Sequence, residues 1–476
     1  MTSDTSATAG ARAMPWGIIA ALWMAEITGS FETAMILAAS KSLLVDFSDP
    51  VLIGWLISGY LIVGAAVAAV AGRLGDIYGR RRVMLALLLI GAAGSLMSAL
   101  ATSYAVLLTG RIIQGLTGAI LPLCIGLVRE NLPPERVSMG IGLMISGASV
   151  GTATGLVLGG WIVDTSGWHG VFFASAGFCL LSFAMIRLFL PVSPRKPAVR
   201  LDWLSGVLFA PGILCLLLYI SNGPKAGWFA PLNLAGLAMA VALLGWWLVH
   251  SLRSDDPLIN IRLFHDRNIS IANAITALTA MSTLQITLVF SIMLQAPKWT
   301  LVGLGASATL AGLAKLPSNI FSLFAGPLSG WLTYKGGGRF AMIVGGLLTI
   351  VGWTMALFAH ATLLQVVVAL CVISFGSTMF FAVGPTILAY AAPAERTSEV
   401  TGVMTVIRQA FLGIGAQIVT VLLATDQVVA PDGTTRFPTP AAFDLAIGFI
   451  IATCVIATLV ALALPRGMKQ HGVDDG

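Results

Sequence analysis

Five charged side chains lie inside long apolar runs of this 476-residue sequence: Glu26, Glu32, Arg111, Lys315 and Arg408. If the runs cross a bilayer, each charge costs at least ~2.5–3.5 kcal/mol on insertion scales, so such residues usually face a cavity and have a function. A buried carboxylate can bind and release a proton. Because Glu26 and Glu32 are the two acids well inside a run, the sequence predicts a proton-binding group in the first run.

Depth distinguishes the two acids. At a rise of ~1.5 Å per residue, Glu32 falls about 9 Å from Glu26, which lies near the midplane, and the six-residue gap turns the two side chains about 120° apart. Arg111 falls at a depth similar to that of Glu32. An arginine favours an ionised carboxylate, whereas desolvation favours the protonated form. We therefore predict that Glu32 is the proton carrier and Arg111 its neighbouring cation. Glu26 is then a cation-binding residue, a second proton site or a structural acid.

Other polar residues predict a substrate cavity. Asn273, Thr276 and Thr283 recur at helical spacing in one run, and Lys315 lies near mid-depth in the next. With Glu26, these residues are predicted to line the cavity. Hydrogen bonding between helices is the alternative for the stripe. For Lys315 the alternatives are an internal ion pair and a counter-charge for an anionic substrate.

The composition defines the elements that must position these residues. Apolar residues make up 57% of the chain and charged residues only 10%, with a mean hydropathy of +0.94. A soluble protein has roughly 25% charged residues, so lipid surrounds most of this chain. A helix of ~20 apolar residues crosses a bilayer core of ~30 Å. We predict an all-α integral membrane protein with 14 transmembrane helices, near residues 15–38, 50–71, 83–101, 105–127, 139–163, 170–190, 203–221, 231–250, 269–295, 303–325, 339–359, 363–391, 400–424 and 442–464.

The basic residues predict the orientation. Nineteen Lys and Arg residues fall on the side of the N-terminus and four on the other side. Since basic residues concentrate in cytoplasmic loops, both termini are predicted to be cytoplasmic. Residues 1–14 lack the pattern of a cleavable signal peptide.

The positive charge forms no single patch for a nucleic acid. The five cysteines fall in or at the ends of apolar runs, where packing without a metal is expected.

A short basic turn separates the second and third runs and reads Gly72-Arg-Leu-Gly-Asp76-Ile-Tyr-Gly79-Arg80-Arg81-Arg. Gly72 permits close helix contact, and Gly79 can take the positive φ of a tight turn. Asp76 can pair with an arginine or sit against a helix N-terminus. The cluster is predicted to be a cytoplasmic latch between two helical bundles. A topological anchor with no moving part is the alternative.

This turn resembles the loop between the second and third helices of the major facilitator superfamily, Gly-x-x-x-Asp-x-x-Gly-Arg-Arg. Two further segments resemble motifs of the same family. Arg111-Ile-Ile-Gln114-Gly is similar to its Arg-x-x-Gln-Gly motif, and Glu32 matches the acidic position of its first-helix Asp-x-Thr motif. The resemblance extends over nearly the whole chain.

The fifth run carries a glycine series, Gly147, Gly151, Gly155, Gly159 and Gly160. This series resembles the glycine-rich motif of exporters in the superfamily, although the sequence has leucine where that motif usually has proline. Small residues at every fourth position let helices approach closely. The motif implies transport in the direction of export.

The length and the number of spans resemble the fourteen-span drug:proton antiporter branch, as do residues 201–204, residues 257–264 and Arg408-Gln409. The resemblance implies two six-helix bundles and an inserted helix pair, with substrate bound near the midplane between the bundles. The implied divisions are a tail at 1–14, a bundle at 15–190, the inserted pair with its linkers at 191–268, a bundle at 269–464 and a tail at 465–476.

The resemblance implies a proton-coupled secondary transporter of the inner membrane that exports small amphipathic or cationic compounds by alternating access. The proton gradient replaces a cofactor, and the expected partners are a small-molecule substrate, protons and lipid, with a monomeric chain. The alternative is a proton-coupled carrier of a specific, anionic metabolite. Three features support this alternative: Lys315, Arg111 and the absent proline. An integral membrane enzyme is the alternative from another class. The scattered histidines and the absence of a phosphate-binding P-loop motif disfavour it.

Overall fold

The computed structural model describes residues 15–47, 50–193, 202–255, 257–282, 285–306, 308–429 and 436–465. This part of the chain is almost entirely helical. The helices are α1 (Trp16–Phe47), α2 (Pro50–Tyr78), α3 (Arg80–Ala99), α4 (Tyr104–Gly115), α5 (Ile120–Asn131), α6 (Pro134–Phe189), α7 (Trp203–Ala226), α8 (Pro231–Arg253), α9 (Arg267–Ser282), α10 (Ile286–Gln295), α11 (Ala308–Phe358), α12 (Leu363–Ala391), α13 (Thr397–Leu423) and α14 (Pro440–Ala461).

Among the described residues, eleven helical stretches are long and apolar enough to cross a membrane. The all-α membrane architecture is therefore confirmed, whereas the count of fourteen spans stays a prediction. The helix α1 is not among the eleven, because Glu26 and Glu32 lower its hydropathy. Two helices are too long for one crossing: α6 has 56 residues and α11 has 51. Each contains one glycine with positive φ, Gly167 (φ 70°) and Gly337 (φ 80°), where the helix breaks.

Several boundaries differ from the expectation. The first helix extends to Phe47, past the predicted end at residue 38, because Ala, Ser and Leu continue the helical sequence there. Helix α11 continues through residues 326–336, which were expected to form a loop. A small antiparallel sheet of β1 (Gln427–Val429) and β2 (Arg436–Pro438) lies before α14.

The helices pack in two halves. Helices α1 to α6 share two apolar clusters, and α9 to α14 share two others. Helices α7 and α8 pair with each other. A fifth cluster joins α7 to α2 and α13, through residues that include Phe209, Ile62 and Val406. The inserted pair therefore packs beside the place where the two halves meet.

The two halves touch directly at the end of the molecule that carries the Gly72–Arg81 turn. A Cβ atom on Gly142 of α6 would overlap the carbonyl group of Gly326 on α11, and one on Gly330 would overlap Ser138. On the other side of the interface, Gly72 of α2 lies against the carbonyl oxygen of Ser398 on α13. Such close backbone approach requires the absence of side chains at these positions. We call this region the closed end.

Replacing Gly142 with valine is expected to open the closed end. Its side chain would overlap the Gly326 backbone, and overpacking costs about 1–3 kcal/mol, so the ratio of closed to open molecules should fall by roughly 5- to 160-fold. Spin labels at Glu135 and Tyr334, both exposed positions, report the separation of the halves at this end. Their distance, measured by double electron–electron resonance, should lengthen. Gly236→Val on α8, where a Cβ meets nothing within 4 Å, is the matched control. An unchanged distance distribution in Gly142→Val would show that this contact does not hold the closed end.

Candidate functional site

Glu32 is fully buried in the half formed by α1 to α6. Its Oε2 atom accepts hydrogen bonds from the hydroxyl groups of Thr117 (2.8 Å) and Tyr60 (3.2 Å). Its Oε1 atom accepts one from Ser175 (3.0 Å), and Cys179 Sγ lies 3.4 Å away. A buried carboxylate is tolerated only with such partners, so Glu32 occupies a prepared polar site inside an apolar bundle.

Arg111 contacts Glu32 through the backbone carbonyl oxygen of Glu32 and through the side chain of Gln114. Its Nη1 donates to the Glu32 carbonyl oxygen (3.3 Å) and to Gln114 Oε1 (2.9 Å), and Gln114 Nε2 lies 3.5 Å from Glu32 Oε1. Its Nε donates to the Leu56 carbonyl (3.1 Å), and the guanidinium lies 4.4 Å from the centre of the Tyr60 ring. The structure thus brings the predicted carboxylate, cation and glutamine together, with Gln114 between the two charges.

The glycine series of α6 positions the helix that carries both acids. Cβ atoms on Gly147, Gly151 and Gly155 would meet Trp23, Ile27 and Ala34 of α1 within 2.5–2.8 Å, and one on Gly159 would meet Ala38 at 3.3 Å. A Cβ on Gly160 would meet nothing within 4 Å. Four of the five predicted glycines therefore form the contact face with α1. Gly160 lies off that face because it is one residue out of the four-residue spacing.

A cavity of about 410 Å³ lies between the two halves. Its walls come from α1, α2, the 3₁₀ turn at Leu116–Ala119, α5, α6 and α13. The lining residues include Glu26, Thr33, Tyr60, Thr117, Arg408 and Gln409. Glu26 and Arg408 thus bring opposite charges from the two halves to one cavity. Glu32 is not among its lining residues. The two acids occupy separate environments, as their six-residue spacing predicts.

A smaller, mostly apolar cavity of about 240 Å³ adjoins the first. It lies between α2, α7 and α13, and the two cavities share Leu61, Gln409 and Leu412. Leu217 and Ile220 of the inserted pair contribute to its wall. We call it the apolar annex.

The remaining residues predicted to line the cavity lie elsewhere. Asn273 and Thr276 are buried, and each donates to a carbonyl one turn back in α9, from Ile269 and Ala272. Lys315 donates to Thr287 (2.9 Å) on α10. None of the three is among the lining residues of this cavity. Thr283 lies outside the described residues.

The closed end is held by Asp76. Gly79 has φ 97° and forms the turn between α2 and α3, so that Arg80 folds back on Asp76 with a 2.7 Å ion pair. The Asp76 carboxylate also accepts from the backbone N–H groups of Ser398 (3.4 Å) and Glu399 (3.0 Å) in the first turn of α13. These N–H groups have no partner within their helix, so a side chain from one half caps a helix of the other.

Further polar contacts surround this cap. Arg80 donates to Ser398 Oγ (3.0 Å) and to the carbonyl of Ala394 (2.6 Å), and Arg129 of α5 donates to Thr397 (2.8 Å). Arg73 lies 3.6 Å from the carboxylate of Glu399. All four contacts join the two halves. The cluster can therefore hold the two halves together through polar contacts.

Arg81 differs from the prediction. Its guanidinium donates to the carbonyl groups of Arg187 (2.6 Å) and Ile186 (3.4 Å) at the C-terminus of α6, in its own half. Adjacent helical residues point about 100° apart, so Arg80 and Arg81 cannot both face α13. Arg81 caps α6 and is not part of the latch between the halves.

Sequence reasoning missed several residues of these sites. Glu399 lies just outside the predicted span at 400–424 and was not among the candidates, although an acid in the first turn of a helix is a recognised signal. Its carboxylate accepts from the Asn260 backbone (2.7 Å) and so ties the linker after α8 to the closed end. Tyr60 and Thr117 are single polar residues in apolar runs, and no pattern connects them with Glu32.

Together these features define a polytopic helical membrane protein whose two halves enclose a cavity and meet at one end. The family model described as Major Facilitator Superfamily matches residues 6–416. The chain belongs to this superfamily, whose members bind small-molecule substrates within a membrane.

Individual proteins agree with this assignment. The chain is 27% identical over 425 residues to "Multidrug resistance protein Stp" of Mycobacterium tuberculosis (strain CDC 1551 / Oshkosh), covering 88% of this chain and 78% of the relative. It is 26% identical over 355 residues to "Tetracenomycin C resistance and export protein" of Streptomyces glaucescens, covering 73% and 64%. The crystal structure of the human organic anion transporter MFSD10 superposes with a TM-score of 0.67 at 15% identity, over 94% of this chain and all of that one. The last similarity concerns the fold alone.

Replacing Asp76 with asparagine should weaken the closed end. The variant keeps one carbonyl oxygen but loses the charge that stabilises the N-terminus of α13 and pairs with Arg80, at a cost of about 1–2 kcal/mol. The spin-label distance between Glu135 and Tyr334 should then shift toward longer values in a larger fraction of molecules. Asp255→Asn, at an exposed position, is the control. If Asp76→Asn gives the wild-type distribution, the cap does not contribute to closure.

Proposed function

We propose that this chain is a proton-coupled secondary transporter that exports small amphipathic or cationic compounds by alternating access. The observation that carries the proposal is the cavity between the halves, with Glu26 in its wall and the prepared site of Glu32 beside it. One carboxylate can attract a cation while the other binds a proton. The names of the two relatives, a multidrug resistance protein and an export protein, support this substrate class and direction.

The apolar annex supports an amphipathic substrate. A cation near Glu26 can extend its apolar part past Leu61 and Leu412 into the annex. Burial of apolar surface contributes roughly 25 cal/mol per Å², without requiring a fixed substrate shape. Broad selectivity for lipophilic cations is the expected result.

The topology we propose has fourteen spans. The eleven stretches become thirteen when α6 and α11 are each divided at Gly167 and Gly337, and α1 adds the fourteenth. An even number places both termini on one side, and the positive-inside rule makes that side cytoplasmic. The closed end then faces the cytoplasm of the cell membrane. We further propose the bundles at 15–190 and 269–464, the inserted pair between them and a monomeric transporter.

A carrier of an anionic metabolite is the second candidate. Arg408 lines the cavity opposite Glu26 and would attract an anion. Lys315, which with Arg111 suggested an anionic substrate in the sequence, bonds to Thr287 instead. Transport of ethidium and of a panel of organic anions, each measured in reconstituted vesicles, distinguishes the candidates. Transport of anions without transport of ethidium would favour the second candidate and contradict the first.

Replacing Glu32 with glutamine should abolish proton-driven transport. The variant keeps the shape of the side chain but cannot cycle a proton. In proteoliposomes with an imposed pH gradient, ethidium accumulation should fall to the level of empty vesicles. Glu135→Gln, at an exposed position of α6, is the control and should transport normally. Full gradient-driven accumulation by Glu32→Gln would exclude Glu32 as the proton carrier.

Replacing Glu26 with glutamine should weaken binding of cations selectively. Loss of the negative charge is expected to raise the Kd for ethidium about tenfold, which corresponds to ~1.4 kcal/mol, while an uncharged probe of similar size binds as before. Glu26→Asp keeps the charge and should restore most of the affinity. Fluorescence titration of the purified protein measures both. Equal affinities for ethidium in the wild type and in Glu26→Gln would contradict a role in cation binding.

A further inference from the structure

Two residues that line the cavity contact Glu32 through their hydroxyl groups. Tyr60 and Thr117 both line the cavity, and both contact the same oxygen atom, Glu32 Oε2, at 3.2 Å and 2.8 Å. The two hydroxyl oxygens lie 3.4 Å from each other. The partners of the other oxygen, Ser175 and Cys179, are not among the lining residues of the cavity. Oε2 is therefore the side of the carboxylate that a proton from the cavity can reach.

Each of the two hydroxyl groups has one hydrogen and lies near two acceptors besides the other hydroxyl group. The Thr117 oxygen lies 2.8 Å from Glu32 Oε2 and also 2.8 Å from the carbonyl oxygen of Gln114. The Tyr60 oxygen lies 3.2 Å from Oε2 and 3.3 Å from the carbonyl oxygen of Gly29. Since a hydroxyl group donates one hydrogen bond and accepts others, each can donate to only one of its two neighbours at a time.

This arrangement suits both protonation states of Glu32. When the carboxylate is ionised, Thr117 and Tyr60 both donate to Oε2. When Oε2 carries a proton, it donates to Thr117 Oγ1, and Thr117 and Tyr60 donate instead to the carbonyl groups of Gln114 and Gly29. Every polar hydrogen has a partner in either state, and only two hydroxyl hydrogens rotate. A buried polar group without a partner costs ~1–3 kcal/mol. Because the two hydroxyl groups supply partners in both protonation states of Glu32, this cost does not favour one state over the other.

The local backbone explains why the two hydroxyl groups meet. The segment between α4 and α5 narrows to a 3₁₀ turn at Leu116–Ala119. The glycines flanking Thr117 lie directly on α2: a Cβ on Gly115 would be 2.8 Å from the Tyr60 carbonyl oxygen, and one on Gly118 would be 2.5 Å from Gly64. This close approach brings Thr117 beside Tyr60 and turns its hydroxyl toward α1.

We propose that Thr117 and Tyr60 form the proton passage between the cavity and Glu32, an inference that rests on the proposed proton coupling. In the loading step, a hydrated proton in the cavity is transferred to Thr117 Oγ1 while the hydrogen of Thr117 passes to Glu32 Oε2. The hydroxyl keeps one hydrogen, the carboxylate gains one, and a water molecule remains in the cavity. Release follows the reverse path. The charged and titratable groups facing Glu32 are Arg111, Tyr60 and Cys179.

The test compares hydroxyl removal with hydroxyl retention. Thr117→Val keeps the volume and removes the hydroxyl group, Thr117→Ser keeps the hydroxyl group, and Tyr60→Phe keeps the ring beneath Arg111. Gradient-driven ethidium transport in proteoliposomes is measured as a function of pH in H₂O and in D₂O. Thr109→Val, whose exposed hydroxyl bonds to the Ala105 carbonyl, is the control.

The rate in Thr117→Val should fall about tenfold or more, with a shifted pH profile, and the Thr117→Val/Tyr60→Phe double variant should resemble Glu32→Gln. Thr117→Ser should recover most of the rate. Wild-type rates and pH profiles in all three hydroxyl-deficient variants would overturn the passage. A loss in Thr117→Ser as large as in Thr117→Val would also overturn it, because side-chain shape would then be the cause. Wild-type transport that ignores the pH gradient would instead overturn the proposed function.

Discussion

The structure depends on the placement of one carboxylate in the interior of a membrane protein. Glu32 has no exposed surface, and a polar group removed from water needs hydrogen-bond partners. Those partners come from α2, α4, α6 and the 3₁₀ turn, so one side chain fixes the relative positions of four chain segments. The glycine face in the first part of α6 packs on α1, and Ser175, beyond the break at Gly167, donates to Glu32. The helix packing and the hydrogen bonds of Glu32 therefore require the same arrangement of helices in this half.

The contact between the two halves has a different character. Each half contains large apolar clusters, whereas the contacts between the halves at the closed end include glycine contacts, backbone carbonyl groups and ion pairs around Asp76. Separating polar groups that water can solvate costs little compared with exposing apolar surface. Helix α7 packs beside both halves, and the linker that follows α8 bonds to Glu399. Helices α7 and α8 are thus connected to both halves and to the closed end, which the proposed alternating access would move.

Much of this arrangement could be predicted from the sequence, and the part that could not has a physical reason. The helical membrane fold, the superfamily, the turn at Gly79 and the proximity of Glu32 to Arg111 follow from hydropathy, motif spacing and helical geometry. The lining of the cavity does not, because it depends on how two halves face each other. Asn273 and Lys315 are polar at plausible depths yet bond within their own half, while Arg408 and Tyr60, which are 348 residues apart in sequence, both line the cavity. Single polar residues in apolar runs become interpretable only when their neighbours are known.

The central claim is that Glu32 takes up and releases the proton that drives transport. Infrared difference spectroscopy of the reconstituted protein, recorded before and after addition of ethidium, observes the carbonyl stretch of a protonated carboxylic acid directly. If Glu32 releases its proton when substrate binds, the wild type and Glu26→Gln will lose this band, and Glu32→Gln will show no such change. The assignment of the proton to Glu32 would be contradicted if Glu32→Gln lost the band on addition of ethidium as the wild type does. It would also be contradicted if Glu26→Gln no longer showed the loss that the wild type shows.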